Sequence, residues 1–62
     1  MQFQIDNMTC GGCARAVTAA IRNLDPTATV RADPPARHVD VDTTRSEAEV
    51  RETLTAAGFP PR

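Results

Sequence analysis

The chain contains only two cysteines, and they stand close together in the stretch MTCGGC at positions 8–13. Two thiols at this spacing can hold a metal ion, cycle between a dithiol and a disulfide, or close a structural loop. A disulfide between Cys10 and Cys13 would close so short a loop that it removes little chain entropy, which argues against a structural staple. The pair therefore favours metal binding or redox chemistry.

The number of available ligands favours a soft ion that needs few of them. Thiolates select soft ions such as Cu(I), whereas structural zinc sites use four protein ligands and catalytic zinc sites use three. The only histidine, His38, is predicted to lie on the outer side of a distant strand. Because Cu(I) accepts linear coordination, Cys10 and Cys13 suffice for it. Hg(II) accepts the same geometry, so the residues do not distinguish the two ions.

The elements around the motif must bring both sulfurs to the start of a helix. Residues 2–6 alternate polar and apolar side chains, which predicts a half-buried strand. Residues 13–24 have apolar side chains at helical spacing, which predicts an amphipathic helix. Cys10 then lies in the intervening loop and Cys13 in the first helical turn, where free N–H groups and the helix dipole favour thiolate.

Three neighbours of the cysteines are expected to assist them. The positive charge of Arg15 favours thiolate at both sulfurs. Gly11 and Gly12 give the loop backbone the freedom to turn both sulfurs toward one point.

The rest of the chain predicts two more strands and a second helix. Residues 28–32 and 37–42 have the strand pattern, and the prolines of residues 33–36 mark a turn between them. Residues 46–57 begin with a capping box, in which Ser46 and Glu49 cap each other, and predict a helix. Gly58 follows as its natural C′ residue.

This order of elements predicts the fold class. Strand, helix, strand, strand, helix and a final stub at 59–62 indicate an α+β, ferredoxin-like βαββαβ fold, with a four-stranded antiparallel sheet and both helices on one face. Pro60 and Pro61 cannot donate ladder hydrogen bonds, so the last strand should be very short and lie at a sheet edge. Residues 1–62 are expected to form a single domain.

Composition excludes several classes of function. The net charge of −1 and the two aromatic residues argue against a nucleic-acid binder. The chain has no signal-peptide pattern and no apolar stretch near the ~20 residues needed to cross a bilayer. With Met1 as the start, the protein is expected to be cytoplasmic, where a CxxC pair binds metal or does redox work more often than it forms a structural disulfide.

The motif at 8–13, the element order and the Ala-Gly-Phe at 57–59 together resemble the heavy-metal-associated domains. This family includes copper chaperones, the N-terminal domains of copper-transporting P-type ATPases, and mercury-binding proteins. The resemblance covers essentially the whole chain. It implies that Cys10 and Cys13 bind one Cu(I) ion and transfer it to a P-type ATPase or another CxxC protein. Such a carrier is not an enzyme.

The resemblance also implies roles for residues around the sulfurs. Met8 would be a buried support beneath the metal loop rather than a ligand, and Thr9 fits the copper-type members better than the zinc pumps. Phe59 would lie in the loop beside the site, where relatives carry Tyr, Phe or Lys. With Gly11 and Gly12, these residues form the expected support of the site.

Several alternatives remain open at the level of sequence. Arg15 and Arg22 on the first helix are either a solvated face or a docking patch for the partner. A dithiol oxidoreductase would use the same cysteine pair, although the thioredoxin-like fold needs a longer chain with more strands. The metal-free protein is expected to be a monomer, and an exposed two-thiolate site can also accept ligands from a second copy to form a metal-bridged dimer.

Overall fold

The computed structural model describes residues 1–62 and contains two helices and one three-stranded sheet. All strand pairs are antiparallel, with the third strand in the centre and the first and second at the edges. Neither helix is long and apolar enough to cross a membrane. The elements in chain order are β1 (Gln2–Gln4), α1 (Gly11–Leu24), β2 (Thr29–Asp33), a 3-10 turn (Pro34–Ala36), β3 (His38–Asp42) and α2 (Glu47–Ala56).

The strand register puts apolar residues on one face of the sheet. Val39 of β3 is the partner of Phe3, and Val41 is the partner of Val30. Because successive side chains in a strand point to opposite faces, these residues share the side that is covered by the helices. The core therefore joins one face of the sheet to both helices, and its buried members are Phe3, Ile5, Met8, Val17, Ile21, Ala28, Val39, Val41, Val50 and Leu54.

Helix α1 begins two residues earlier than predicted, at Gly11 rather than Cys13. Cys10 is its N-cap residue, with the extended backbone (φ −146°, ψ 166°) that is typical of that position. The helix ends at Leu24, as predicted, because Asp25 precedes a proline and adopts an extended conformation.

Helix α2 begins and ends with the predicted capping features. The Ser46 hydroxyl accepts a hydrogen bond from the Glu49 N–H (3.1 Å), and the Glu49 carboxylate accepts one from the Ser46 N–H (3.4 Å). Gly58 has a φ of +92°, and the chain reverses there so that the Phe59 N–H donates to the Leu54 carbonyl (2.8 Å). Ala57, the last residue of the predicted helix, is the C-cap of α2 and is exposed.

A fourth strand does not form. The last residues contact the free edge of β1 through one backbone hydrogen bond, from the Arg62 N–H to the Gln4 carbonyl (2.7 Å). The Arg62 guanidinium holds the same region by pairing with both carboxylate oxygens of Asp6 (3.1 and 2.9 Å). Since Pro60 and Pro61 have no N–H groups to donate to β1, the side-chain pair of Arg62 and Asp6 takes the place of the missing ladder hydrogen bonds.

Candidate metal centre

The two cysteines meet at the exposed first turn of α1. Their Sγ atoms are 2.9 Å apart, and neither is in a disulfide. Cys10 is exposed and Cys13 is half-buried. The capping position of Cys10 and the helical position of Cys13 bring the two thiols together on one side of the turn.

The sulfur of Cys10 also caps the helix. It accepts a hydrogen bond from the Cys13 N–H (3.3 Å), one of the N–H groups that an α-helix leaves free at its start. The hydrogen bond with the Cys13 thiol, followed by this backbone bond, lowers the pKa of Cys10 below its usual value. The Gly12 N–H and the charge of Arg15 act in the same direction. The thiolate, which is the metal-binding form, is favoured by these contacts.

Gly11 and Gly12 lie inside the helix, not in a loop as predicted. Neither has a positive φ, so this conformation does not need the backbone freedom of glycine. A Cβ atom at Gly11 would meet nothing within 4 Å, and one at Gly12 would lie 3.8 Å from the Cys10 sulfur. The two glycines instead leave the sulfurs without neighbouring side chains over the first turn.

Met8 anchors the segment that leads into the site. Its side chain is fully buried in the core, and its N–H donates to the Ile5 carbonyl (3.1 Å) in a tight turn. The next residue, Thr9, is exposed. The chain thus passes within two residues from a fixed core position to the exposed thiol of Cys10.

The end of α2 lies against this segment. The Asn7 side-chain amide donates to the Gly58 carbonyl (3.4 Å), which joins the two loops. Phe59 is half-buried and packs against the core. Its side chain thus adds an apolar, uncharged group to the loop that follows α2.

The two arginines of α1 are both exposed. Arg15 is close enough for its charge to act on Cys10, and it also lines a shallow apolar groove, whereas Arg22 lies two turns further along the helix. No acidic residue occurs in α1, so the helix has a purely basic surface on a chain of net charge −1. The groove is lined by Ala14, Arg15, Thr18, Ala19 and Ala32.

The structure offers two protein ligands at this site. Nowhere in the chain do three or more His, Cys, Asp or Glu side chains form a group that could hold a metal ion. His38 lies in β3, opposite Gln4 and Asp33, rather than beside the cysteines. The site is chemically a pair of soft donors open to solvent.

Sequence reasoning missed a buried carboxylate at the other end of α1. Asp25 is only 8% exposed. One oxygen accepts hydrogen bonds from the Thr27 N–H (3.0 Å) and hydroxyl (2.7 Å), and the other accepts one from the Thr43 hydroxyl. The Thr43 bond first, then those of Thr27, lower the pKa of Asp25 to about 2. The signal was present in the order Asp-Pro-Thr, since an aspartate often accepts from the backbone two residues ahead.

Comparison with known proteins places this geometry among metal-binding domains. Residues 2–60 match the model of the heavy-metal-associated domain. The crystal structure of a gold-binding protein is 56% identical, with a TM-score of 0.98 over all of this chain and 95% of that one. The copper chaperone Atx1 from Synechocystis is 31% identical, with a TM-score of 0.95 over all of this chain and 98% of that one.

A third similar structure, of a protein from Agrobacterium tumefaciens, is 40% identical, with a TM-score of 0.91 over all of this chain and 97% of that one. None of the curated proteins matches the chain.

Proposed function

The chain belongs to the heavy-metal-associated domain family, and on that premise we propose that it binds one Cu(I) ion through Cys10 and Cys13 and passes it to a partner protein. The observation that carries the proposal is the meeting of two free thiols, 2.9 Å apart, at an exposed helix N-terminus. The likeness to a copper chaperone supports copper as the cargo.

Loading requires the two sulfurs to move apart. In linear coordination they are separated by two metal–sulfur bonds, about 4.6 Å if each bond is about 2.3 Å, the length of a Zn–S bond. Cys13 is held in the helix, whereas Cys10 is exposed and bound only through its cap. Cys10 is therefore the ligand that swings outward. The two thiolates and Cu(I) carry a net charge of −1, which the helix dipole and Arg15 partly offset.

Release is a ligand exchange with the thiols of the partner. The partner is a copper-transporting P-type ATPase or another protein with its own CxxC pair. Its sulfurs can approach over the bare first turn at Gly11 and Gly12, through shared three-coordinate intermediates, while Arg15 and Arg22 dock against acidic groups. No covalent bond in a substrate is made or broken, so the role is that of a carrier and not of an enzyme. We propose that this carrier acts in the cytoplasm.

Gold is a second candidate cargo. Au(I) is soft and takes the same linear two-thiolate geometry as Cu(I), and the similar structure with 56% identity is that of a gold-binding protein. The residues that distinguish one soft ion from another lie outside the pair of sulfurs, because both ions require the same two donors.

An anaerobic titration with Cu(I) in the presence of a chromophoric chelator tests the proposal. We expect one ion per chain and loss of binding in Cys10→Ser and Cys13→Ser, with Thr55→Ser, an exposed residue of α2, as the matched control. Displacement of Cu(I) by Au(I) measures the preference between the two ions. Binding by the double Cys→Ser variant as tight as that of the parent would overturn the proposal.

Transfer is tested separately, with a CxxC-containing acceptor domain. We expect Cu(I) to move from the parent to the acceptor within the mixing time of the experiment. Transfer should be slower from the double variant Arg15→Ala/Arg22→Ala than from Arg31→Ala, a control on the opposite side of the fold. Turnover in an insulin-reduction assay, together with no retained Cu(I), would instead support a dithiol oxidoreductase.

A further inference from the structure

Strand β2 is a free edge of the sheet, since the strand order is β1-β3-β2. In the central strand, Val41 exchanges both of its backbone hydrogen bonds with Met1 on the β1 side (2.8 Å each). Because the bonding direction alternates along an antiparallel strand, the even-numbered residues of β3 bond instead to the odd-numbered residues of β2. The N–H and C=O groups of Val30 and Ala32 therefore point away from the sheet, and no other segment bonds to them.

An apolar groove, which we call the β2–α1 groove, runs beside this edge. Ala32 of β2 lines it on one side, and Ala14, Arg15, Thr18 and Ala19 of α1 line it on the other. The Thr18 hydroxyl donates to the Ala14 carbonyl (2.9 Å), so its proton is used within the helix. The groove has a volume of about 400 Å³, and its alanines leave room for an added side chain. Unpaired backbone groups and an apolar surface thus lie side by side.

The α1 side of the groove is positively charged at both ends. Arg15, Ala19 and Arg22 are spaced i, i+4 and i+7, so they share one face of the helix. Both arginines are exposed, and neither belongs to one of the three ion pairs of the chain. Since α1 contains no acidic residue, these two charges are free to bind acidic groups from outside the molecule.

We propose that β2 and the β2–α1 groove bind an extended acidic segment of a partner protein as an added strand. The backbone of the segment pairs with Val30 and Ala32, which is recognition by β-strand addition. A small apolar side chain of the segment enters the groove. Acidic residues two positions before and after it lie on the same face of the segment and pair with Arg15 and Arg22. This surface contains neither cysteine, so binding of the segment does not require Cu(I).

The charges favour a partner protein over a second copy of the chain. If β2 of one chain paired with β2 of another about a twofold axis, both α1 helices would lie on the same face of the joined sheet. Arg15 and Arg22 of each chain would then face those of the other. Like charges brought together in this way are destabilising, and α1 has no acidic residue to offset them.

The synthetic peptide acetyl-TETVTET-amide is the probe for the test, with NMR of the isotope-labelled, metal-free protein. We expect peptide binding to protect the Val30 and Ala32 amides from hydrogen exchange, while the amide of Gln2 on the β1 edge keeps its exchange rate. The charge-reversed peptide TKTVTKT should bind at least about tenfold more weakly, because it brings like charges to Arg15 and Arg22. N-methylation of the central valine should weaken binding about fivefold or more, since it removes a backbone donor.

Variants of the protein test the groove and the strand edge separately. Ala19→Leu fills the groove and should weaken peptide binding at least about fivefold. Ala16→Leu is the matched control, since Ala16 is an exposed residue of α1 outside the groove, and it should match the parent. Ala32→Pro removes an outward N–H, a change that an edge strand tolerates, and should also weaken binding. Circular dichroism verifies that each variant folds.

The inference is overturned if the peptide does not bind, if the two peptides of opposite charge bind equally well, or if N-methylation has no effect. Unprotected Val30 and Ala32 amides in the complex would likewise overturn it. Protection of these amides that rises with protein concentration, without peptide, would make a second copy the occupant and contradict the proposed partner. A parent that binds Cu(I) but not the peptide contradicts this inference alone, and one that binds the peptide but not Cu(I) contradicts only the proposed function.

Discussion

Helix α1 is bounded by Cys10 at its N-terminus, the first end, and by Asp25 at its C-terminus, the second end. A helix of 14 residues is about 20 Å long, which is the distance between the two ends. The Cys10 thiol is exposed, and its hydrogen-bonding partners are the thiol and N–H of Cys13. The Asp25 carboxylate is buried and accepts three hydrogen bonds, from Thr27 and Thr43. The same helix thus has an exposed residue with few contacts at one end, and at the other end a buried residue whose side chain is held by two other segments.

This difference between the two ends assigns metal exchange to one end of α1 and the stability of the fold to the other. A ligand that must bind and release an ion needs weak competing contacts, and a sulfur acceptor provides them. Asp25 joins the end of α1, the turn before β2 and the loop after β3, so its loss affects three connections at once. Function at the first end is therefore expected to respond to mutation independently of stability at the second.

The largest expected effect is on metal affinity at the first end. Cys10→Ser removes a metal ligand but keeps an N-cap oxygen, so Cu(I) affinity should fall at least about 100-fold. The melting temperature of the metal-free chain should equal or exceed that of the parent, because serine is a preferred cap. Chelator competition and thermal unfolding measure the two quantities.

Cys10→Ala is the matched control, since it removes the ligand and the cap together. It should lose Cu(I) as completely as Cys10→Ser and also melt at a lower temperature. If Cys10→Ala melts at the same temperature as the parent, the sulfur does not cap the helix.

The next effect is on stability at the second end. Asp25→Ala leaves the hydroxyls of Thr27 and Thr43 without their acceptor, and the melting temperature should fall by about 10 °C or more, the scale for losing several buried hydrogen bonds in a domain of this size. Cu(I) affinity of the folded protein at room temperature should not change. A weakened affinity in Asp25→Ala would mean that the two ends are coupled.

Acid should act at the second end as well. The pKa of Asp25 is about 2 in the folded chain and 3.8 ordinarily, so its contribution is fully present above pH 3.8. That contribution should be lost as the pH falls through about 2. Urea unfolding of the metal-free protein at several pH values between 5 and 2 measures the loss.

Asp25→Asn serves as the control for this pH dependence, because the amide does not titrate. Its stability should change less between pH 4 and pH 2 than that of the parent. Parallel curves for the two proteins would assign the acid sensitivity to other carboxylates, such as Glu49, whose pKa the Ser46 N–H and Arg45 also lower.

The smallest effect is expected within the first turn. A Cβ atom at Gly11 meets nothing within 4 Å, and the residue is helical, so Gly11→Ala should stabilise the metal-free chain by about 0.5 kcal/mol. Cu(I) affinity should stay the same, whereas transfer to an acceptor should slow because a methyl group then stands over the approach to the sulfurs. Unchanged transfer would show that the bare turn has no role in exchange.

The sequence pattern was sufficient for the parts of the fold that rest on alternation and capping. Val39 and Val41 alternate with polar residues along β3, and Ser46 with Glu49 marks the start of α2. The start of α1 was misplaced because Gly11 and Gly12 have low helix propensity, and a favourable cap at Cys10 outweighs it.

Two features depend on distant contacts, which a local pattern does not reveal. Asp25 appears in the sequence only as a residue that ends a helix, since its partner Thr43 lies 18 residues away. The tail was expected to lie at a sheet edge, but the pairing of Arg62 with Asp6 spans 56 residues and involves side chains. The meeting of Cys10 and Cys13, by contrast, is local, which is why the approach of the two thiols could be predicted from their spacing.

The contact between the tail, residues 59–62, and strand β1 should weaken as the ionic strength rises. The pair between Arg62 and Asp6 is solvent-exposed, with side chains 72% and 49% accessible, and exposed pairs weaken as salt shortens the Debye length from about 10 Å at 0.1 M to about 3 Å at 1 M. The backbone bond to Gln4 and a longer bond from the Arg51 guanidinium to the Arg62 carbonyl (3.4 Å) then hold the end of the chain. At high salt the outer edge of β1 therefore becomes more available for pairing with another strand.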